Sequence, residues 1–533
     1  MGRALRPNLT AGIAVAVVSL TVVPTEASPL PRVETRAIQL INVDTPDSPL
    51  GDGTAFVMGG STIPIPPQGY LDAADDLYLQ PRDFTGTDQG LATPEGLYPL
   101  SGVHSLTLDQ SVAEGQQILD SAILGQIAGG EVDAANPVVV FGWSQSATIS
   151  SLTMSQLAEQ GVPSDDVHFV LIADPSNPDG GMLSLFDVPV DGQDPTIPAL
   201  GITFSGATPS DLYPTDIYTT EYDLFADFPR YPIDFLSDLN AYLGILAHAS
   251  YPVLTPEEIN DAILLPGSAA LTGEGLTNYY MIPAETLPLL EPLQLLPVIG
   301  QPLYDLLEPD TQILVNLGYG SITDGWDPGP ADVPTTFGVF PTDLNWGDVL
   351  TALANGIPQG IEAAVNDLLN PANYQLSTYL DQPLLTELVN LTNILGFSDA
   401  TNASQLLNLP ALLELARNGL NGAVGFPTPD VSLFSSSPTE IINDLSATLS
   451  ADYASLVPIA DTVDTLLTTV PSLFTSFATE QLADGNLVNA IGEPIAATIG
   501  LVPFAVLFGA AVPIAEAVGG TLVNLADLAG LGG

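Results

Sequence analysis

From Arg36 to about Pro283, short apolar runs alternate with longer stretches in which apolar residues recur at helical spacing. The runs AIQLINV (37–43), TAFVMGG (54–60), PVVVFGW (137–143), VHFVLIA (167–173) and TDIYTTEY (215–222) are rich in β-branched and aromatic residues. Each is bounded by Gly, Pro, Asp or Asn, which is the pattern of strands. Leu106–Ile127 and Ser146–Glu159 carry apolar positions three and four residues apart, which predicts helices. Strands that are apolar almost throughout are covered on both faces. Their alternation with helices predicts an α/β domain built on a parallel sheet over residues 36–285.

Beyond about residue 284 the chain turns rich in Leu, Pro, Asn and Ala, with helical patterns punctuated by proline. Residues 286–345 read as a helical and linker region. Within them, 321–345 is dense in Pro, Gly and Asp and predicts a loop or linker. Residues 346–533 read as mostly helical and apolar. Ile495–Ala515 is uncharged over 21 residues, long enough for a bilayer. Pro503 and Pro513 lie inside it and Glu516 closes it, so a buried helix pair is expected, with membrane association as the alternative. At the other end, Arg3 and Arg6 precede an apolar stretch at 11–23 and small residues near Ala27. Residues 1–27 therefore predict a signal peptide or N-terminal anchor, and an exported protein, extracellular or held at the cell envelope.

Charge narrows the partners. Sixty-two acidic residues face seven arginines, and the net charge of −55 repels nucleic acid phosphates. It equally disfavours electrostatic docking on anionic lipid, so any lipid contact has to be apolar. With no cysteine, disulfides and thiolate chemistry are excluded. Three histidines, His104, His168 and His248, with no His-x-x-x-His pair, make a zinc site hard to assemble. No cofactor or metal is expected.

The main chemical signal is at Gly142-Trp-Ser144-Gln-Ser146, where an apolar strand runs directly into a helix pattern. A strand-to-helix turn of this kind exposes a serine hydroxyl above the sheet, and it needs small residues two before and two after. Ser144 is thus the candidate nucleophile, with Ser146 in place of the usual second glycine. Its base must come from the three histidines. His168 opens a strand, which puts it roughly 17–20 Å from the turn at about 3.3 Å per residue. His104 precedes the nucleophile in the chain. His248 follows the last of these strands, in the order serine, acid, histidine of α/β-hydrolases, and is the first choice. Asp223 and Asp227, just after the strand at 215–222, are the candidate acids, with Asp174 an outsider. The oxyanion donors are expected from the N–H of Gln145 and, after the Gly59-Gly60 turn, from Ser61 or Thr62.

The motifs GWSQSA (142–147), MGGSTIP (58–64), YDLFADFPRYP (222–232) and HASY (248–251) together resemble the mycobacterial PE-PPE domain, a serine-hydrolase family related to cutinases. The likeness covers roughly residues 50–285. It implies an α/β-hydrolase fold, a Ser-Asp-His triad on Ser144, His248 and one of Asp223 or Asp227, and esterase, lipase or acyltransferase action on envelope lipid esters. The expected partner is an acyl-ester or lipid substrate. The alternative is a non-catalytic envelope protein on a hydrolase-like scaffold.

Overall fold

The computed structural model describes residues 50–102, 104–189, 193–370, 382–395, 456–483 and 485–511. The export pattern, the expected strand at 37–43 and residues 512–515 of the apolar segment lie outside them. The main sheet has seven strands: β1 (Thr54–Val57), β2 (Thr87–Gly90), β3 (Val138–Trp143), β4 (Val167–Ile172), β5 (Thr215–Thr220), β6 (Ile263–Leu264) and β7 (Thr277–Ile282). Their order is β2-β1-β3-β4-β5-β7-β6. All neighbours run parallel except the short edge strand β6, which is antiparallel to β7. Helices α1 (Gln68–Ala74), α2 (Leu108–Gly129) and α3 (Gln145–Gln160) make the connections among β1, β2, β3 and β4. This is an α/β-hydrolase fold.

Every residue of β3, β4 and β5 is buried; β3 and most of β4 accordingly read as apolar runs, whereas β5, TDIYTT, buries Thr and Asp as well. Their side chains divide by twos. Val139, Phe141, Trp143, Val170 and Ile172 join a core with Tyr70 and Tyr78 on one face. Val138, Val140, Phe169 and Leu171 join the core beneath α2 and α3 on the other. Each fully buried side chain of this size stabilises the fold by about 1.5–3 kcal/mol. Thr107 and Gln110 form a capping box at the start of α2, and Gly130 ends the helix with φ 82°. Gly115 of α2 lets α3 come close, since a Cβ there would lie 2.4 Å from Ile149. The edge strand β2, TDQG, is largely exposed and polar, so hydrophobic pattern does not betray it.

The order of strands reverses between β1 and β3, where a parallel sheet opens a crevice beyond its carboxyl ends. The register brings Trp143, Ile172 and Tyr218 level at that end. Helices α4 (Phe235–Leu243) and α5 (Ile245–Ser250) lie close after β5, and α6 (Gly300–Asn316) packs against α7 (Trp346–Leu369).

Residues 321–345 form a loop, as their composition predicts, but one sewn to the sheet domain rather than a free linker. Gly325 N–H donates to the Glu221 carboxylate (2.8 Å), Thr335 N–H to the Pro178 carbonyl (2.9 Å), and Arg230 pairs with Asp327 (3.1 Å). The later helices are α8 (Pro383–Ile394), α9 (Leu456–Asp464), α10 (Val470–Ala483) and α11 (Asn489–Val506). Among the described residues α11 alone is long and apolar enough to cross a membrane, and 56% of it is buried in protein. Its Ala497, Leu501 and Phe504 pack into a third core with Phe186, Phe204 and Phe228.

Candidate active site

The turn after β3 is built by sterics. Ser144 has φ 56° and ψ −113°, outside the ordinary regions for a residue with a side chain. A Cβ on Gly142 would lie 2.8 Å from the Ser146 carbonyl oxygen, so only glycine lets the strand pass its own helix here. Ser146 occupies the position of the usual second glycine and closes the turn itself: its Oγ accepts from Trp143 N–H at 2.8 Å. Ser144 is only partly buried, whereas Trp143, Gln145 and Ser146 around it are buried.

Across the crevice, α5 carries His248, whose Nε2 lies 2.8 Å from Ser144 Oγ. Its Nδ1 faces both oxygens of Asp223, at 2.8 and 3.0 Å. Two acceptors opposite Nδ1 place the proton there, which leaves Nε2 to accept from the serine hydroxyl. Asp223 is fully buried and also accepts from Phe225 N–H (2.8 Å), Ala226 N–H (3.1 Å) and Tyr251 Oη (2.8 Å). These donors hold the carboxylate in one orientation. The Phe225 ring lies 4.6 Å from the imidazole centre, and Trp143 Nε1 donates to the His248 carbonyl at 3.3 Å.

The other candidates are placed elsewhere. Asp227 does not face His248: its Oδ2 accepts from Tyr222 N–H at 2.8 Å, and burial pushes its carboxyl well above the usual range. Its backbone is a turn past Asp223, with its N–H on the Asp223 carbonyl, and it is the Asp223 carboxylate that meets His248 Nδ1. Asp174 accepts from Thr208 Oγ1 (2.6 Å) and Ser176 N–H (2.9 Å), and burial raises it to about 6. His104 is exposed in a turn, and His168 is buried on Asp216 at 3.1 Å.

The N–H of Gln145, the expected first oxyanion donor, opens α3 and therefore has no intrahelical acceptor. Thr62 does not offer its backbone N–H as the expected second donor. Its N–H already donates to the Glu95 carbonyl at 2.8 Å, so it is not free to meet a substrate. Ser61 and Thr62 both stand on the wall of the crevice. The turn must be glycine at position 59, where a Cβ would meet the Ile63 carbonyl oxygen at 2.2 Å. One feature that sequence reasoning missed ties these parts together. The Gln145 side chain accepts from Ser111 Oγ (2.8 Å) and donates to the Gly96 carbonyl (2.8 Å) and Ser61 Oγ (3.5 Å). Tyr251 was missed as well, though it lies three residues after His248 in the same HASY motif.

Residues 85–320 match the PE-PPE domain. The chain is 38% identical over 485 residues to the uncharacterized PPE family protein PPE28 of Mycobacterium tuberculosis, a match covering 88% of this chain and 66% of PPE28. The chain belongs to the PE-PPE domain family. It is 42% identical over 342 residues to the esterase PE16 of the same organism, covering 61% of this chain and 60% of PE16. It is 26% identical over 316 residues to the diacyltrehalose acyltransferase Chp2, also of Mycobacterium tuberculosis, covering 55% of this chain and 82% of Chp2. The chain thus spans less than two thirds of the length of PPE28 and PE16.

Ser144, Asp223 and His248 fall inside the PE-PPE match, whereas β1 with its Gly59–Ser61 turn falls before it. Around the PE-PPE serine lies a cavity of about 250 Å³. Its wall is mostly apolar, with Met182, Leu183, Leu200, Ile202 and Phe204 prominent, and Ser61, Ser144 and His248 are among its polar lining. Among the described residues no cluster of three or more His, Asp or Glu side chains is arranged to hold a metal ion.

Proposed function

We propose that this protein cleaves or transfers acyl esters through a covalent acyl-enzyme on Ser144, with a lipid-like acyl chain as its substrate group. The observation that carries this reading is the Asp223–His248–Ser144 chain of hydrogen bonds, each about 2.8 Å, with Ser144 and His248 lining an apolar cavity. His248 Nε2 takes the serine proton as Oγ attacks the ester carbonyl carbon. Asp223 stabilises the imidazolium that results. The N–H groups of Gln145 and Ser61 face the developing oxyanion. When the tetrahedral adduct collapses, the C–O bond to the alcohol breaks and His248 returns the proton to the leaving oxygen. Water or an acceptor hydroxyl then attacks the acyl-enzyme by the same steps in reverse, giving a free acid or a new ester.

The relatives named as an esterase and as a diacyltrehalose acyltransferase support ester chemistry of both outcomes. Labelling with a fluorophosphonate tests the nucleophile: the wild type should react and Ser144→Ala should not. Unchanged labelling of the variant removes the assignment. Incubating the wild type with an acyl donor and either water alone or trehalose separates hydrolysis from transfer by the product formed.

The same reading includes export, supported by the Arg3, Arg6 and 11–23 pattern at the N-terminus. It includes apolar contact with the cell envelope, supported by the exposed Leu487, Val488 and Ile491 at the start of α11. N-terminal sequencing of protein recovered outside the cell should begin near Ser28; recovery only from the cytosol would refute export.

A further inference from the structure

The cavity beside Ser144 is not closed by the sheet domain alone. Leu395, just after α8, and Phe504, in the last turn of α11, both line it, and both lie beyond the PE-PPE match. Phe504 is 8% exposed. Its ring meets Phe225 edge-on at 6.1 Å, and Phe225 in turn lies against the His248 ring. A side chain about 360 residues after Ser144 therefore stands one ring removed from the imidazole that serves it.

The depth at which α11 sits is set by specific contacts. Tyr242 Oη donates to the Gly500 carbonyl, one turn before Phe504. A Cβ on Gly500 would lie 3.1 Å from Phe228 and 3.2 Å from Phe186, so the glycine lets the helix come fully down on those rings. Farther along, Tyr98 of the cavity wall donates to the Asp461 carboxylate on α9. These bonds hold the later helices as a fixed wall of the cavity.

We propose that Phe504 is a specificity-determining residue of this site: its ring, held by the docking of α11, limits the length of acyl chain that the cavity accepts. The proposal rests on the reading of Ser144 as an acyl-accepting nucleophile. Apolar space opened by a large-to-small change persists, because the surroundings relax only in part, and such space takes up apolar ligands. At Phe504 the new space joins the existing cavity, where the end of a longer chain can fill it. A hydrophobic pocket distinguishes single methylene groups by roughly tenfold or more, so a ring-sized change has a measurable readout.

The test uses the full chain as wild type, Phe504→Ala, Phe504→Leu and Phe504→Trp, with p-nitrophenyl butyrate, octanoate and palmitate as substrates. Active sites are counted with a fluorophosphonate, so that unfolded molecules do not enter kcat/KM. The ratio of kcat/KM for palmitate over butyrate should rise about tenfold in Phe504→Ala, rise less in Phe504→Leu, and fall in Phe504→Trp. A ratio equal to that of the wild type in all three variants, with every ester affected alike, gives Phe504 a packing role only and overturns the proposal. A shift in the same direction for Ala and Trp overturns it too. Ester turnover that survives Ser144→Ala is a different failure: it sinks the functional reading and this proposal with it.

Discussion

Two buried histidine–aspartate pairs stand at opposite ends of one parallel sheet. At the carboxyl ends of the strands, His248 and Asp223 face Ser144 and a cavity. At the amino ends, His168 and Asp216 lie 3.1 Å apart, each near the start of its strand. Asp216 is shared there with Arg82 and with Asn278 at 3.2 Å. Burial raises the Asp216 carboxyl, but Arg82 and His168 outweigh it and hold the group at about 2. The pairs are alike in residue type and burial; what differs is what lies beyond the imidazole. One end opens at the reversal of strand order, with a strained serine on it. The other is packed shut by charge partners. An aspartate–histidine bond is therefore not a catalytic signature by itself, and access to a nucleophile and an open crevice decides its use.

The comparison is broken most directly by exchanging the outcomes of two isosteric changes. Asp223→Asn should lower kcat about 10⁴-fold with little change in melting, because the amide no longer holds the Nδ1–H tautomer. Asp227→Asn, one turn away and off the histidine, should leave kcat within a small factor of wild type. A large loss in Asp227→Asn and none in Asp223→Asn would reverse the assignment of the acid.

Asp216→Ala should do the opposite of Asp223→Asn. Removing Asp216 takes one partner out of a buried ion pair with Arg82, a change that costs about 3–5 kcal/mol, read as a lower urea midpoint. The kcat per fluorophosphonate-reactive site should stay that of the wild type. A fall in kcat with unchanged stability would mean that the closed pair takes part in the chemistry.

The smallest effect is in the pH dependence of stability, where Asp216 and a second set of carboxylates pull in opposite directions. The folded Asp216 carboxyl is depressed, so its contribution is complete above the ordinary value of 3.8 and is lost as pH falls through about 2. Burial raises Glu95 and Asp238 to about 8 and Glu221 to about 7. These groups bind a proton in the folded state that the unfolded chain releases, so stability declines as pH rises from the ordinary carboxylate range through 7 to 8. The melting temperature should therefore be higher at about pH 5.5 than at about pH 8.5, and Glu95→Gln should narrow the gap. Equal melting at both values would show that these carboxyls are ionised in the folded protein.

Much of the sheet was legible from pattern because its central strands are buried on both faces and their composition records it. β2 and β7 were not: Thr87–Gly90 lies exposed at an edge, and Thr277–Ile282 mixes polar with aromatic residues. The loop at 321–345 could be read as a loop but not as one bonded back to Glu221, Pro178 and Arg230. Those partners lie roughly a hundred or more residues earlier, and backbone composition carries no mark of them.

The sequence by itself determined the turn at Ser144, because the forces that shape it are local. An apolar strand, a glycine that avoids its own helix and a small closing residue all lie within residues 138–146. It also narrowed the base to three histidines and the acid to two neighbouring aspartates after β5, with Asp174 as an outsider. Only the tertiary structure decided that His248 meets the serine with Asp223 behind it, that the Glu95 carbonyl takes the Thr62 N–H, and that Phe504 stands in the cavity wall. Each of these depends on where a long stretch of intervening chain returns. That is settled by the packing of whole helices and by which polar groups find partners first, quantities spread over many residues rather than written at any one.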